Sequence, residues 1–297
     1  MHNYPHRTVY NVSFPNNRTV THTSEFIMQK RVFVKTLIAA AAVAATGLIA
    51  GCGDKAADKP FKVGVTAGPH AAIVTASVEV AKKKGLKVEV VEFTDYVTPD
   101  KALNDGALDA AVYQHEPFLN NFNRQQGTKL AKVADAVVQP MGFYSNAVKS
   151  VETIPEGAKI SIPNDPSNSG RALLLLQASG IIKLREGVKG NALISDIVEN
   201  PKKLKIIELE AAQLPRSLSD VDIAVIPMNY VISAGLSPSK QGFYFESLKA
   251  PFALIVIAAR ENNKNDPRVK TFIESYRSDE VKAFVIKTFD GAVRPSW

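Results

Sequence analysis

Four stretches of this 297-residue chain carry side chains whose types and spacing could do chemistry. Tyr113-Gln114-His115-Glu116-Pro117-Phe118 gathers two aromatics, an imidazole and a carboxylate within six residues, a set able to line an apolar pocket and hold a polar group at its edge. Asn164-Asp165-Pro166-Ser167-Asn168-Ser169-Gly170-Arg171 sets Arg171 in the first turn of a helix, where the macrodipole opposes a cation by about 0.3–1 kcal/mol. A charge so placed needs a counter-charge. A ligand carboxylate would serve, because a guanidinium grips a carboxylate through two parallel hydrogen bonds; a nearby acid such as Asp165 would serve equally, and the residues alone leave both open. Gly64 to His70 forms a third turn, with a helix N-terminus that can hold an anion or simply turn the chain. His70 and His115 are the only histidines after His22, and both fall on turns of one half of the molecule, with a ligand role expected of His115 and none assigned to His70. The fourth stretch is Ile49-Ala50-Gly51-Cys52, which holds the single cysteine.

The elements that must position these turns alternate between strand and helix. Phe61 to Val65 reads as a strand, Ala71 to Lys84 as a helix closed by Gly85, and Leu86 to Phe93 as a strand. Thr98-Pro99 opens a helix to Asn104, Ala107 to Tyr113 is a short apolar strand, and Glu116-Pro117 opens a helix ended by Gly127. This order predicts parallel pairing through βαβ units. Ala134 to Val148 is one long strand-like passage. A second set follows: a strand at Ala158 to Ile162, a Leu-rich helix at Ser169 to Ser179, and strands at Leu204 to Leu209 and Val221 to Ile226. Leu248 to Arg260 is apolar and extended, and two helices end the chain, Pro267 to Tyr276 and Asp279 to Phe289. The expected architecture is α/β with two lobes and two parallel-rich sheets, lobe 1 being residues 61–143 plus 249–297 and lobe 2 residues 144–248. Ligand sites of α/β folds lie in the cleft that such an arrangement creates.

The N-terminal part reads differently. Lys30, Arg31 and Lys35 precede an uncharged stretch from Thr36 to Ala50, then small residues and Cys52, the pattern of a secretory signal over residues 28–51. As a helix that stretch would reach only about 22 Å, against roughly 30 Å of bilayer hydrocarbon, so it is too short to stay as an anchor. Ile49-Ala50-Gly51-Cys52 resembles the lipobox of bacterial lipoproteins, which implies lipidation of Cys52 and a body tethered to a membrane through residues 52–60; two or more acyl chains anchor stably. Residues 1–27 show no periodic apolar pattern, and translation is expected to start at Met28. The body of about 240 residues is near the size at which one core divides. The net charge of +7 comes from Lys and Arg scattered singly or at helix ends, which fits a solvated surface or anionic headgroups and not nucleic acid.

Beyond the lipobox, Val63 to His70, Val91-Glu92-Phe93-Thr94-Asp95-Tyr96-Val97, Leu108-Asp109-Ala110 with Tyr113-Gln114-His115, Pro163 to Leu173 and Leu214-Pro215-Arg216-Ser217-Leu218 resemble the methionine-binding lipoprotein family (MetQ/NlpA), from about Lys62 to Trp297. The resemblance implies a two-lobed periplasmic binding protein (type II-like) without catalysis or cofactor. It would sit in the bacterial cell envelope and deliver free amino acid, L-methionine foremost, to the permease and ATPase of an ABC importer. By position it implies Tyr96, Tyr113 and His115 as pocket residues of the first lobe, Arg171 as the carboxylate-binding arginine and Asn229 as a polar contact of the second lobe, with Phe118 and Asn168 beside them. The chain also departs from the family. Pro227 stands where asparagine is common and supplies neither an amide nor a backbone N–H; Asp100 and Ala111 likewise replace asparagines. Losing one charge-assisted hydrogen bond costs about 1.5–3 kcal/mol unless Asn229 compensates, so a related amino acid or a dipeptide stays open as the ligand.

Other classes fit less well. Two histidines with Glu116 are few for a metal receptor, and no metal site is expected. There is no Gly-x-Ser-x-Gly, no His-Glu-x-x-His and no cysteine in the body to suggest a hydrolase. A surface-exposed, adhesin-like lipoprotein is the remaining alternative.

Overall fold

The computed structural model describes residues 59–297. The expected signal segment, Cys52 and most of the tether lie outside the described residues. Along the chain run β1 (Phe61–Thr66), α1 (Pro69–Lys83), β2 (Val88–Phe93), α2 (Thr98–Asn104), β3 (Ala110–His115), α3 (Glu116–Gln126) and β4 (Leu130–Val138). Then come β5 (Met141–Tyr144), β6 (Lys159–Pro163), α4 (Pro166–Ala178), the small strands β7 (Lys183–Leu184) and β8 (Ile197–Glu199), β9 (Lys205–Leu209), α5 (Leu214–Ser217), β10 (Ile223–Pro227), α6 (Met228–Ser233), α7 (Pro238–Gln241) and β11 (Gly242–Phe245). The last stretch is β12 (Leu254–Arg260), α8 (Pro267–Tyr276), α9 (Asp279–Phe289) and β13 (Arg294–Pro295).

Two sheets result, each the centre of a lobe. The first has the order β13-β4-β12-β3-β1-β2, the second β11-β5-β10-β6-β9. Both are mixed. The βαβ units give parallel pairing at β2-β1-β3 and at β10-β6-β9, while β4, β12, β13, β5 and β11 join antiparallel. β4, β5, β11 and β12 flank the two places where the chain changes sheets, and β13 closes the edge of the first sheet against β4. β1 and β3 are buried on both faces, which is why they read as unbroken apolar runs instead of alternating ones. One face of the first sheet packs Val63 and Val65 against Ile73 and Val74 of α1 and Phe272 and Tyr276 of α8; the other gathers Leu103, Tyr113, Phe118 and Leu119. The second sheet is covered by Leu173 and Leu176 of α4 on one face and by Leu214, Leu218 and Val231 on the other.

The passage from Ala134 to Val148 is not one strand. Pro140 interrupts it, having no N–H for a ladder, and β4 stays in the first sheet while β5 opens the second. The chain returns between Phe245 and Leu254. The two crossings are bonded to each other: Glu246 N–H donates to Met141 O at 2.9 Å, and Gln139 N–H donates to Ala253 O at 2.7 Å. The hydrogen bond from Met141 N–H to Glu246 Oε2, at 3.2 Å, adds a side-chain tie.

Candidate ligand cleft

The ligand-site residues expected from the sequence line a single cavity between the lobes: Tyr96, Tyr113, His115, Phe118, Asn168, Arg171 and Asn229. The cavity, about 320 Å³ of empty space counted together with its open mouth, is also lined by Gln114, Gln139, Pro227, Met228 and Ile255. Strand ends and helix starts bring these residues together. Tyr113, Gln114 and His115 end β3, Phe118 lies in the first turn of α3, Asn168 and Arg171 lie in the first turns of α4, and Asn229 begins α6.

The first-lobe wall is aromatic. Tyr96 stacks on Tyr113 with ring centroids 5.9 Å apart, and Phe118 meets both rings edge-on at 5.9 and 6.1 Å. Tyr113 O–H donates to Tyr96 O at 2.7 Å, which fixes the pair. Such rings suit an apolar or thioether side chain, sulfur gaining about 0.3–1.5 kcal/mol against a ring edge.

Arg171 is buried and already holds a counter-ion, though not the one the sequence offered. Asp165 caps α4 instead, accepting from Asn168 N–H at 3.0 Å, and Glu246 takes the guanidinium. Nε lies 3.1 Å from both Glu246 oxygens, and Nη2 lies 2.6 Å from Oε2. Nη2 also donates to Gln139 O at 3.1 Å. Nη1 has one long contact, 3.5 Å to Asn168 Oδ1, and is the least engaged of the three guanidinium nitrogens.

His115 caps α3 with its own ring: Phe118 N–H donates to Nδ1 at 3.1 Å, which leaves the ring proton on Nε2, 3.0 Å from Asn168 Oδ1 across the cleft. Burial first, and then the Arg171 charge, pull its pKa from 6.5 down to about 3, so the ring is neutral and both nitrogens are engaged. Among the described residues, no group of three or more His, Cys, Asp or Glu could hold a metal ion. His70 is buried beneath the cavity wall, Nδ1 lying 3.5 Å from Gln139 Nε2, and its pKa likewise falls to about 3 through burial. Asp100 is fully buried, accepts from Gln114 Nε2 at 2.8 Å, and burial lifts its carboxyl to about 7.

Bonds between the lobes complete the cleft. Tyr96 O–H donates to Asn229 Oδ1 at 2.7 Å, and away from the cavity the Ser233 hydroxyl shares its proton between Asn229 O at 2.7 Å and Ala67 O at 2.9 Å, while Tyr230 O–H donates to Thr94 O at 3.3 Å. Gly68 makes the close approach possible. Its φ of +90° suits glycine, and a Cβ there would overlap Ser233 Oγ.

Gln139 and Glu246 carry no signal in the sequence, and Gln114 sits in a motif dominated by its aromatic and imidazole neighbours. A Gln or Glu on an extended segment has no local signature. The nearest signal was the charge on Arg171 near a helix start; α4 begins at Pro166, which moves Arg171 from the expected first turn to the second, and its acid lies far along the chain.

Two mixed α/β lobes, two crossings and an aromatic and polar cavity between them define a two-lobed binding protein of the periplasmic type. The sequence pattern of the NlpA lipoproteins matches residues 61–297, and the chain belongs to that family. It is 47% identical over 266 residues to a probable D-methionine-binding lipoprotein MetQ of Vibrio cholerae, covering 89% of this chain and 98% of that one. To the D-methionine-binding lipoprotein MetQ of Escherichia coli it is 42% identical over 267 residues, with the same coverage. A nutrient binding protein from Burkholderia cenocepacia, solved bound to methionine, superposes with a TM-score of 0.78 at 48% identity, covering 80% of this chain and all of that one.

Proposed function

We propose that this protein is the lipid-anchored receptor of an ABC importer and that methionine is its ligand. The observation that carries the reading is the juxtaposition, in one cavity between two lobes, of the Tyr96, Tyr113 and Phe118 rings with the buried Arg171 fork. The rings take the thioether, Arg171 Nη1 takes the α-carboxylate, and Asn229 supplies a further polar contact from the second lobe. Closure on the ligand gives the permease a shape to recognise. Acylation of Cys52 holds the body at the envelope membrane, and Lys55 to Pro60 act as the tether. Pro227, which lines the cavity without a donor, favours a second reading in which a different amino acid fills the same cleft.

The test is calorimetry on the detergent-solubilised protein, unfolded and refolded to strip any ligand, and titrated with L- and D-methionine. Saturable binding at micromolar strength or tighter supports the methionine reading, for whichever enantiomer gives it. No heat from a folded sample sinks it, and mass spectrometry of the natively purified protein then identifies the ligand. Loss of the protein from the membrane fraction on Cys52→Ala checks the anchor.

A further inference from the structure

Arg171 Nη1 and the unpartnered Nδ2 of Asn229 offer the cavity hydrogen-bond donors, which suit an anion. An amino acid also carries an ammonium, which needs acceptors, and neither the aromatic wall nor Arg171 provides them. Two buried side chains on the cavity wall do. Gln114 Oε1 and Gln139 Oε1 are both without a partner, although each residue is only 3% exposed. A buried acceptor left unmade costs free energy, so two in one cavity mark places that a ligand donor fills.

The Gln114 amide is oriented from behind, its Nε2 committed to Asp100 Oδ1 at 2.8 Å, which leaves its carbonyl oxygen over. Gln139 Nε2 lies 3.5 Å from His70 Nδ1, a longer contact, with its Oε1 unpartnered. Gln139 is further pinned at the crossing, its N–H bonded to Ala253 O and its own carbonyl accepting from Arg171. Glu246 matters here as well: by pairing with Arg171 it removes the repulsion that an unpaired guanidinium would exert on a second cation in the same small cavity.

We infer that Gln114 and Gln139 form the seat for the ligand's ammonium group, their two side-chain oxygens accepting its N–H bonds, and that they make the cleft select amino acids over the matching deaminated acids. This rests on the reading of the cleft as an amino-acid site. It deepens that reading by naming which group of the ligand meets which wall.

The experiment compares L-methionine with 4-(methylthio)butanoate, which is methionine without its amino group, by calorimetry on the detergent-solubilised full chain. Gln139→Met and Gln114→Met remove one acceptor each at similar volume. Each is expected to weaken methionine about ten- to a hundred-fold while moving the deaminated acid less than about two-fold. Gln139→Glu keeps the acceptor and is expected to retain methionine and to bind the deaminated acid at least about ten-fold more weakly, through like-charge repulsion. Equal losses for both ligands, or no change for methionine, overturn the seat. If the Met variants fail to melt cooperatively, the Glu variant decides, and an unchanged ratio between the two ligands overturns the proposal. Should the wild type ignore methionine, the other amino acids and their deaminated counterparts are titrated in turn. The same variant pattern with another amino acid removes methionine and keeps the seat, whereas a protein that binds no amino acid removes both.

Discussion

Arg171 and Glu246, 75 positions apart, form a two-pronged ion pair with contacts of 2.6–3.1 Å and side chains only 4% and 9% exposed. Glu246 follows β11 on the returning crossing, and Arg171 also touches Gln139 on the outgoing one. The arginine that lines the cavity is thus bolted to both segments that join the lobes. Breaking one half of a buried pair leaves the other charge uncompensated, at a cost of about 3–5 kcal/mol. Arg171→Met is expected to lose that much stability together with ligand binding. Arg171→Met with Glu246→Met is expected to recover most of the stability and none of the binding. Urea unfolding beside calorimetry checks this, and a double variant no more stable than the single one would refute the coupling.

Asp100 should report on pH. Burial raises its pKa from 3.8 to about 7, so between those values the folded protein keeps a proton that the unfolded chain has released. Through this group, stability is greatest below pH 4, falls as pH rises to 7 and stays low above. Asp100→Asn keeps an acceptor for Gln114 and abolishes the ionisation. Thermal melting is expected to show a higher Tm for the variant at pH 8 and a gain that vanishes toward pH 4; a gain independent of pH would contradict it.

His115 carries the opposite sign. Its pKa falls from 6.5 to about 3, so its contribution is present above pH 6.5 and is lost as pH drops toward 3, where the unfolded chain binds a proton first. His115→Asn retains a good N-cap for α3 and cannot titrate. Its Tm is expected to fall less steeply between pH 6.5 and 4 than that of the wild type. His70 shares the sign, so part of the acid-side loss persists in the single variant and goes only when His70 is also replaced, leaving the opposite slope of Asp100.

Gly68 is predicted to tolerate no side chain. Alanine would add left-handed strain of about 1–3 kcal/mol and meet Ser233 as the lobes come together. Gly68→Ala should therefore weaken ligand binding. Adding Ser233→Ala should relieve only the steric part of the loss, and complete recovery would show that the backbone angle does not matter.

The sequence announced local structure better than long-range contacts. α8 and α9 were legible to the residue because Asp266-Pro267 and Ser278-Asp279 supply a cap and a first-turn residue of the preferred kind. α4 begins earlier than its apolar run suggests, since Asp165-Pro166 starts it and Ser167 and Asn168 occupy its first turn. The break at Pro140 was hidden inside a run that is apolar on both sides of it, because β4 and β5 are each half of a different core. β7 and β8 are two and three residues long, too short for any period to show. The aromatic and arginine walls of the cleft were visible through motif resemblance. Glu246 and Gln139 were not, because their roles exist only once the two crossings lie side by side.

The bonds from Ser233 to Ala67 and from Tyr230 to Thr94 bridge the lobes without bordering the cavity. Each contributes about 0.5–1.5 kcal/mol, enough to change the ratio of shut to open molecules roughly two- to ten-fold. A receptor's apparent affinity is its intrinsic affinity scaled by the fraction of molecules competent to bind. Substitutions at these residues are therefore expected to act as a gain control, so that two relatives with the same cavity answer to different nutrient concentrations through positions the nutrient never touches.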